Sequence, residues 1–311
     1  MTVDPDLVPI LARIKAAPAV DYRTMPMDEA RAIFTAGNAA FNRAPPHVAE
    51  VTDLEIPGDD GPLRARLYRP SLAEDAPVVV YAHGGGWTFG SVDTHDGTMR
   101  RLALRSGAAV LGVDYRLAPE HPFPKPLDDV LAAIRFVENG GLGQSVDASR
   151  IAVSGDSAGA NLTLAALLAR RDAGLPQLRT AALFYGCYAP DHGTASHARL
   201  GDGTYLLSTA SMQWYWGNFL GALPQDTDSL AAPLRAPLKG LPPLYLNAAG
   251  LDPLLDDTLA LSAALAEAGV SFRLDVVPGV VHGFLRMAAE LPAADKALAD
   301  AGAYLAGYFA R

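Results

Sequence analysis

The sequence lacks the features that mark disulfide-stapled, membrane-spanning and secreted proteins. Its single cysteine, Cys187, excludes an intramolecular disulfide and a cysteine-based metal site. No apolar run approaches the roughly 18 residues of a membrane span, so no stable membrane association is expected. The N-terminus is acidic and has neither the basic start nor the apolar stretch of a signal peptide. These absences predict a soluble protein of a reducing, cytoplasmic compartment.

Clusters of basic residues are also missing. The chain has 25 Lys and Arg against 34 Asp and Glu, which gives a formal net charge of -9. Nucleic-acid partners are normally met by grouped Lys and Arg side chains, so no nucleic acid is expected to bind. Half of the 311 residues are hydrophobic, which is sufficient for a large buried core.

Apolar spacing divides the chain into two parts. Residues 6–14 and 27–34 have helical periodicity, and Pro45-Pro46 ends this N-terminal segment. From Val51 onward strands and helices alternate, which predicts an α/β fold with a mostly parallel central sheet flanked by helices. Continuous apolar runs predict strands buried on both faces at 78–82, 108–113, 151–154, 181–185 and 244–248. A further strand is predicted at 272–277, and helices near 125–139, 158–173 and 256–268. Residues 63–68 alternate with period two, which predicts an antiparallel, half-exposed edge strand.

One interval is longer than a simple crossover requires. Between Tyr185 and Leu244 the chain includes an aromatic-rich helical pattern, Met212–Leu220. We interpret this interval as an insertion, around residues 187–225, that packs with the N-terminal helices as a helical cap. The expected organisation is therefore an N-terminal cap segment over residues 1–50 and a main domain over residues 51–311.

The pentapeptide Gly155-Asp156-Ser157-Ala158-Gly159 lies between a predicted strand and a predicted helix. This is the context of a nucleophile elbow, a strained turn that presents a serine hydroxyl at the carboxyl edge of a sheet. The small flanking residues fit the tight turn, and the helix N-terminus favours a developing negative charge. Ser157 is therefore the predicted nucleophile.

A second glycine-rich stretch, His83-Gly84-Gly85-Gly86-Trp87, follows the predicted strand at 78–82. Glycines allow the backbone to approach a substrate and to present N–H groups to a tetrahedral oxyanion. A phosphate-binding loop is disfavoured because no Lys-Ser or Lys-Thr pair follows.

A serine nucleophile of this fold needs an acid and then a histidine further along the chain. Only His192, His197 and His282 follow Ser157, and the first two fall within the insertion, where we interpret them as solvated loop histidines. His282 is therefore the predicted base. Asp252 leaves a late strand and is the predicted orienting acid. Asp256 and Asp257 are rivals, although their position at a helix start also fits capping.

Together these stretches resemble the hormone-sensitive lipase-like family of bacterial carboxylesterases, which have the α/β-hydrolase fold. The matching segments are 83–87, 114–124, 155–159, 250–256 and 282–284, in the order of that family. The resemblance implies a triad of Ser157, Asp252 and His282. It also implies an oxyanion hole from the N–H groups of Gly84, Gly85 and Ala158, with Gly86 shaping the turn. Substrate-pocket candidates are Trp87, Asp156, Trp214, Phe219, Leu254 and Phe284, of which the aromatic residues have packing as an alternative role.

The function that follows is hydrolysis of short- to medium-chain carboxylic esters through an acyl-enzyme, with a small-molecule ester as partner and without a metal or cofactor. Deacetylase, amidase and lipase activities would use the same triad and stay open. A non-catalytic receptor of the same fold is disfavoured because His282 is present. The oligomeric state is open between a monomer and a homodimer.

Overall fold

An eight-stranded sheet forms the centre of the protein in a computed structural model that describes residues 2–18, 20–42, 44–224 and 228–310. Residues 1, 19 and 43 of the predicted N-terminal segment, residue 225 of the predicted insertion, and residues 226, 227 and 311 lie outside this part of the chain. The strands are β1 (Glu50–Gly58), β2 (Gly61–Arg69), β3 (Ala76–Ala82), β4 (Ala109–Val113), β5 (Val146–Asp156), β6 (Ala181–Phe184), β7 (Leu244–Leu251) and β8 (Phe272–Val281). The helices are α1 (Leu7–Ala16), α2 (Met27–Asn38), α3 (Asp96–Ser106), α4 (Lys125–Glu138), α5 (Ala158–Asp172), α6 (Ala195–Leu200), α7 (Thr209–Leu220), α8 (Leu255–Glu267) and α9 (Pro292–Phe309).

The strand order is β1-β2-β4-β3-β5-β6-β7-β8, and all neighbours from β4 to β8 are parallel. Along β3, Val78 and Val80 pack on one face of the sheet and Val79 and Tyr81 on the other. Helices α4, α5 and α8 cover the first face, and α1, α3 and α9 cover the second. Burial on both faces explains the continuous apolar runs of β3, β4, β6 and β7, whereas β8 is half-buried or exposed until Gly279. The predicted α/β-hydrolase architecture is confirmed.

Two features of the sheet differ from the sequence-based expectation. The strand predicted at 63–68 is antiparallel, but it is not at the edge, because β2 pairs with both β1 and β4. The edge on this side of the sheet is β1, which the hydrophobic pattern did not reveal, and the opposite edge is β8. Only Ile56 of its side chains is buried, and acidic residues occupy much of its exposed length. A solvated edge strand carries little apolar signal.

The N-terminal helices contact the region that follows β3. Phe89 stacks on Phe34 of α2 with ring centroids 5.0 Å apart and contacts Tyr22 at the same distance. Arg31 of α2 donates to the backbone carbonyls of Thr88 and Ala118, both at 3.0 Å, and pairs with the carboxylate of Glu120. From the opposite side, Trp214 of α7 reaches the ring of Phe89. Among the described residues, no helix is long and apolar enough to cross a bilayer.

We expect Gly159→Ala to destabilise the protein by about 3 kcal/mol or more, because a Cβ there would stand 1.9 Å from the carbonyl oxygen of Ala82. Gly159 and Ala82 meet through backbone atoms, so neither residue can shift without disturbing the packing of the sheet. Gly217→Ala is the matched control, since Gly217 lies on α7 with nothing within 4 Å of its Cβ position. That change should stabilise the protein by about 0.5–1 kcal/mol through helix propensity. Urea unfolding measures the change in the free energy of unfolding for both variants. Equal changes in Gly159→Ala and Gly217→Ala would contradict the packing argument.

Candidate active site

Ser157 lies at the turn between β5 and α5, at the carboxyl edge of the sheet. Its backbone has φ 53° and ψ -119°, a conformation that side-chain-bearing residues rarely adopt. The turn is held by the Ser157 N–H, which donates to the carbonyl of Phe184 at 2.9 Å, and by the Ser157 carbonyl, which accepts from Ala160. The predicted strand, turn and helix are all present. The local strain therefore lies at the residue whose hydroxyl the sequence singles out.

Three side chains that are far apart in sequence form one hydrogen-bonded chain. His282 directly follows β8, and its Nε2 is 2.9 Å from the Ser157 hydroxyl oxygen. Its Nδ1 is 2.7 Å from Oδ2 of Asp252, which directly follows β7. Asp252 is fully buried, and its other oxygen accepts the N–H of Leu254 at 2.9 Å. A carboxylate can only accept, so Nδ1 carries the proton and Nε2 faces the serine hydroxyl with its lone pair.

The glycine loop, residues 83–90, approaches this triad of side chains from the end of β3. The carbonyl of Gly84 is 2.9 Å from Nδ1 of His83, which must donate to it. The C=O and N–H of a trans peptide point in opposite directions, so this bond turns the Gly85 N–H to the other side of the loop. In the same way the Gly85 carbonyl accepts from Thr88 and Phe89, which fixes the direction of the Gly86 N–H. In the described part of the chain neither N–H has an acceptor.

The N–H of Gly84 is engaged elsewhere, which corrects one expectation. It donates to Oδ1 of Asp156 at 2.9 Å and so is not free for an oxyanion. Gly86 has a free N–H instead of only shaping the turn. Its φ is +60° and that of Gly85 is +122°, values that glycine adopts without strain. Ala158, the first residue of α5, has an N–H without an intrahelical acceptor, as expected.

Most of the pocket candidates are buried in packing, so they do not form the wall of an open pocket. Trp87 and Phe219 are fully buried and stacked, with ring centroids 4.1 Å apart. Leu254 and Phe284 are also buried. The carboxylate of Asp156 is only 2% exposed and is occupied by the Gly84 N–H. For these residues the packing or supporting role applies.

Trp214 is the candidate that does border an open groove, a cavity of about 280 Å³ between the N-terminal segment and α7. Its other walls include Tyr22 and Tyr215. The ring of Tyr215 stands 2.3 Å from where a Cβ of Gly86 would be, so it lies directly against the glycine loop. Tyr215 was not among the predicted site residues, because the sequence of a helix with three successive aromatic residues does not reveal which one faces the loop.

His197, Asp256 and Asp257 have local structural partners, and His192 lies in a loop but is half-buried, with its ring edge-on to that of His197 at 5.2 Å. His197 is not a solvated loop residue, since it lies in α6, is 5% exposed and has its Nδ1 2.9 Å from the hydroxyl of Thr209. Asp256 accepts the N–H of Ser196 at 2.7 Å, and Asp257 accepts that of Tyr188 at 2.9 Å. Neither competes with Asp252 for His282. The described residues contain no group of three or more His, Cys, Asp or Glu side chains that could hold a metal ion.

Comparison with known proteins places this geometry in context. A family model described as the alpha/beta hydrolase fold matches residues 79–286. The esterase LipI of Mycobacterium tuberculosis is 39% identical over 306 residues, covering 94% of this chain and 92% of its own. The ethyl acetate hydrolase of Pseudomonas putida is 33% identical, with 96% of both chains covered. Among solved structures, an esterase from Pyrobaculum calidifontis superimposes with a TM-score of 0.91 at 34% identity, covering 98% of each chain.

Burial raises the pKa of Asp257 to about 7, although the N–H groups of Tyr188 and Ala189 oppose the shift. Because this folded-state pKa lies above that of an unfolded aspartate, the folded state is penalised as pH rises from about 4 to about 7. We expect the group to lower the free energy of unfolding by up to about 1.4 kcal/mol per pH unit in that window.

Asp257→Asn should remove this contribution, so that the variant gains stability relative to wild type between about pH 5 and pH 8. Urea unfolding of both proteins at the two pH values measures the difference. A constant difference between variant and wild type would contradict the raised pKa.

Proposed function

Since the chain belongs to the hormone-sensitive lipase-like group of the α/β-hydrolase family and is a carboxylic ester hydrolase, we propose that Ser157, His282 and Asp252 are its catalytic triad. The observation that carries this proposal is the unbroken chain of hydrogen bonds from Asp252 through His282 to Ser157, with lengths of 2.7 and 2.9 Å. We further propose that the substrates are short- to medium-chain esters.

His282 acts as general base in the proposed mechanism. Its unprotonated Nε2 takes the proton of the Ser157 hydroxyl as the oxygen attacks the ester carbonyl carbon. The imidazolium that forms is stabilised by the buried carboxylate of Asp252, which also prevents the ring from turning. His282 then returns the proton to the leaving alcohol, which leaves an acyl group on Ser157. Water, activated by the same imidazole, releases the acid and restores the serine.

The negative charge on the carbonyl oxygen needs donors that are in place before the reaction. The N–H groups of Gly85, Gly86 and Ala158 are proposed for this role. Those of Gly85 and Gly86 are unpaired within the described chain, and their directions are set by bonds on the opposite side of each peptide. The N-terminus of α5 adds a favourable dipole next to Ser157.

The preference for small acyl and alcohol groups is supported by the aromatic rings near the glycine loop. Tyr215 fills the space next to Gly86, and the groove beside it has a volume of about 280 Å³. A relative that is matched over 96% of both chains is named as an ethyl acetate hydrolase. We propose that the N-terminal helices and the insertion around 187–225 together form a cap over this site.

Ser157→Ala should abolish turnover of a p-nitrophenyl ester series from acetate to octanoate while leaving the fold intact, because the attacking oxygen is gone. In the wild type, we expect the rate to decline towards the longer acyl chains and p-nitroanilides to react more slowly than esters of the same acyl group. Release of p-nitrophenol or p-nitroaniline measures the rates, and circular dichroism checks the fold.

The control for this experiment is Ser154→Ala, which removes another buried serine hydroxyl, one that bonds the Ala182 carbonyl at 2.8 Å. This variant should keep its activity. Wild-type turnover in folded Ser157→Ala would overturn the assignment of the nucleophile, and faster anilide cleavage would identify an amidase.

Asp252→Asn should lower kcat by about 10³- to 10⁴-fold, because an amide favours the wrong imidazole tautomer and no longer stabilises the imidazolium. Asp256→Asn is the matched control, as its carboxylate bonds the backbone of Ser196 and not His282. That variant should stay within about threefold of wild type, as expected for a group outside the hydrogen-bonded chain. Initial rates on p-nitrophenyl butyrate provide the comparison. The reverse order of effects would show that Asp252 is not the acid.

A further inference from the structure

Asp156 is a buried carboxylate that the reaction itself does not use. It is the last residue of β5 and precedes Ser157, yet its side chain turns away from the nucleophile into the protein and is 2% exposed. Its Oδ1 accepts from the Gly84 N–H at 2.9 Å and from the hydroxyl of Tyr81 at 2.8 Å. A buried charge without donors would cost several kcal/mol, so this carboxylate depends on its partners.

Two further groups complete the surroundings of this carboxylate. The hydroxyl of Tyr185 is 3.3 Å from Oδ2, and Nε2 of His95 is 3.5 Å from Oδ1. Burial alone would raise the pKa of Asp156, but His95 and the hydroxyl of Tyr81 hold it well below its usual range. The group is therefore an anion in the folded protein at neutral pH.

The bond to Gly84 connects the two halves of the candidate active site. Gly84 belongs to the glycine loop, whereas Asp156 shares a peptide bond with Ser157. A Cβ on Gly84 would stand 2.5 Å from Oδ2 of Asp156, so the carboxylate lies flat against the backbone of the loop. The next peptide of the loop carries the Gly85 N–H, whose direction depends on how Gly84 is held.

We propose that Asp156 is a positioning residue that fixes the glycine loop at a constant distance from the nucleophile, so that oxyanion donors and Ser157 move as one unit. This inference rests on the proposed function, because it assigns Asp156 a part in stabilising the oxyanion. The carboxylate of Asp156 is also connected to His282 through Tyr185. The Tyr185 hydroxyl is 3.3 Å from Oδ2 of Asp156, and the Tyr185 ring lies edge-on to that of His282 with centroids 5.0 Å apart.

A misplaced donor harms the transition state more than substrate binding, because the ester oxygen gains its charge only during attack. Asp156→Asn keeps the size of the side chain but replaces the anion with a weaker, neutral acceptor. We expect kcat on p-nitrophenyl butyrate to fall about 10- to 100-fold with KM within about threefold, less than the 10²- to 10³-fold cost of losing an oxyanion donor itself. Binding of a trifluoromethyl ketone, which forms a tetrahedral adduct on serine, should weaken by the same factor as kcat.

Asp257→Asn is the matched control, since Asp257 is also a buried carboxylate that accepts a backbone N–H at 2.9 Å. It should leave kcat within about twofold, because it does not touch the glycine loop. Tyr81→Phe provides a milder test that preserves the carboxylate and removes one of its donors. It should lower kcat about 3- to 10-fold without a change in KM, as the loss of one buried hydrogen bond allows.

Hydrogen exchange of the peptide spanning residues 83–90 measures the position of the loop without any substrate. The loop should be protected in the wild type and should exchange faster in Asp156→Asn. Unchanged kcat and exchange would overturn the proposal, as would a rise in KM at constant kcat. If Asp156→Asn does not fold, unchanged kcat in Tyr81→Phe overturns it. If the wild type hydrolyses no ester, the proposed function fails, whereas the exchange result still decides whether Asp156 anchors the loop.

Discussion

Close packing between the end of β3 and the turn after β5 is the constraint on which the site depends. The Cβ positions of Gly155 and Gly159 would stand 2.7 and 1.9 Å from the same carbonyl oxygen, that of Ala82. No side chain fits between these backbones, so their separation is fixed by contact of main-chain atoms. The glycine loop begins one residue after Ala82, and Ser157 lies between the two glycines. This contact fixes where the glycine loop begins relative to Ser157, and the bond from the Gly84 N–H to Asp156 holds the loop beyond that point.

The groups that hold the glycine loop keep their charge near neutral pH, since Asp156 is an anion and the other partners of the loop are neutral. Burial, with a smaller effect from His95, lowers the pKa of His83 to about 3, so this imidazole is neutral, and its contact with the Gly84 carbonyl places the remaining proton on Nδ1. Thr88 and Phe89 hold the next peptide through backbone bonds. A change of pH in the physiological range consequently leaves the loop in place, whereas His282, as the proposed general base, changes its protonation in every proposed catalytic cycle.

The hydrophobic pattern predicted the inner parallel strands because they are buried on both faces, and the order of chemical motifs predicted which side chains meet at the sheet edge. The hydrophobic pattern did not predict β1, whose exposed face carries charge. The assignment of Gly84 as an oxyanion donor was wrong for a different reason. Whether an N–H is free depends on acceptors that folding brings in from elsewhere, here the carboxylate of Asp156. The stack of Trp87 on Phe219 likewise depends on a helix far along the chain.

Three buried aspartates lie close to the carboxyl ends of β5 and β7, and their partners separate their roles. Asp252 bonds an imidazole, Asp156 bonds the backbone of the glycine loop, and Asp257 bonds the backbone after β6. A buried carboxylate without donors is costly, and even with the N–H groups of Tyr188 and Ala189 the pKa of Asp257 is raised to about 7. An acidic chain that buries several carboxylates at one edge must therefore supply each with separate donors. The backbone bonds of Asp156 and Asp257 leave His282 to Asp252 alone.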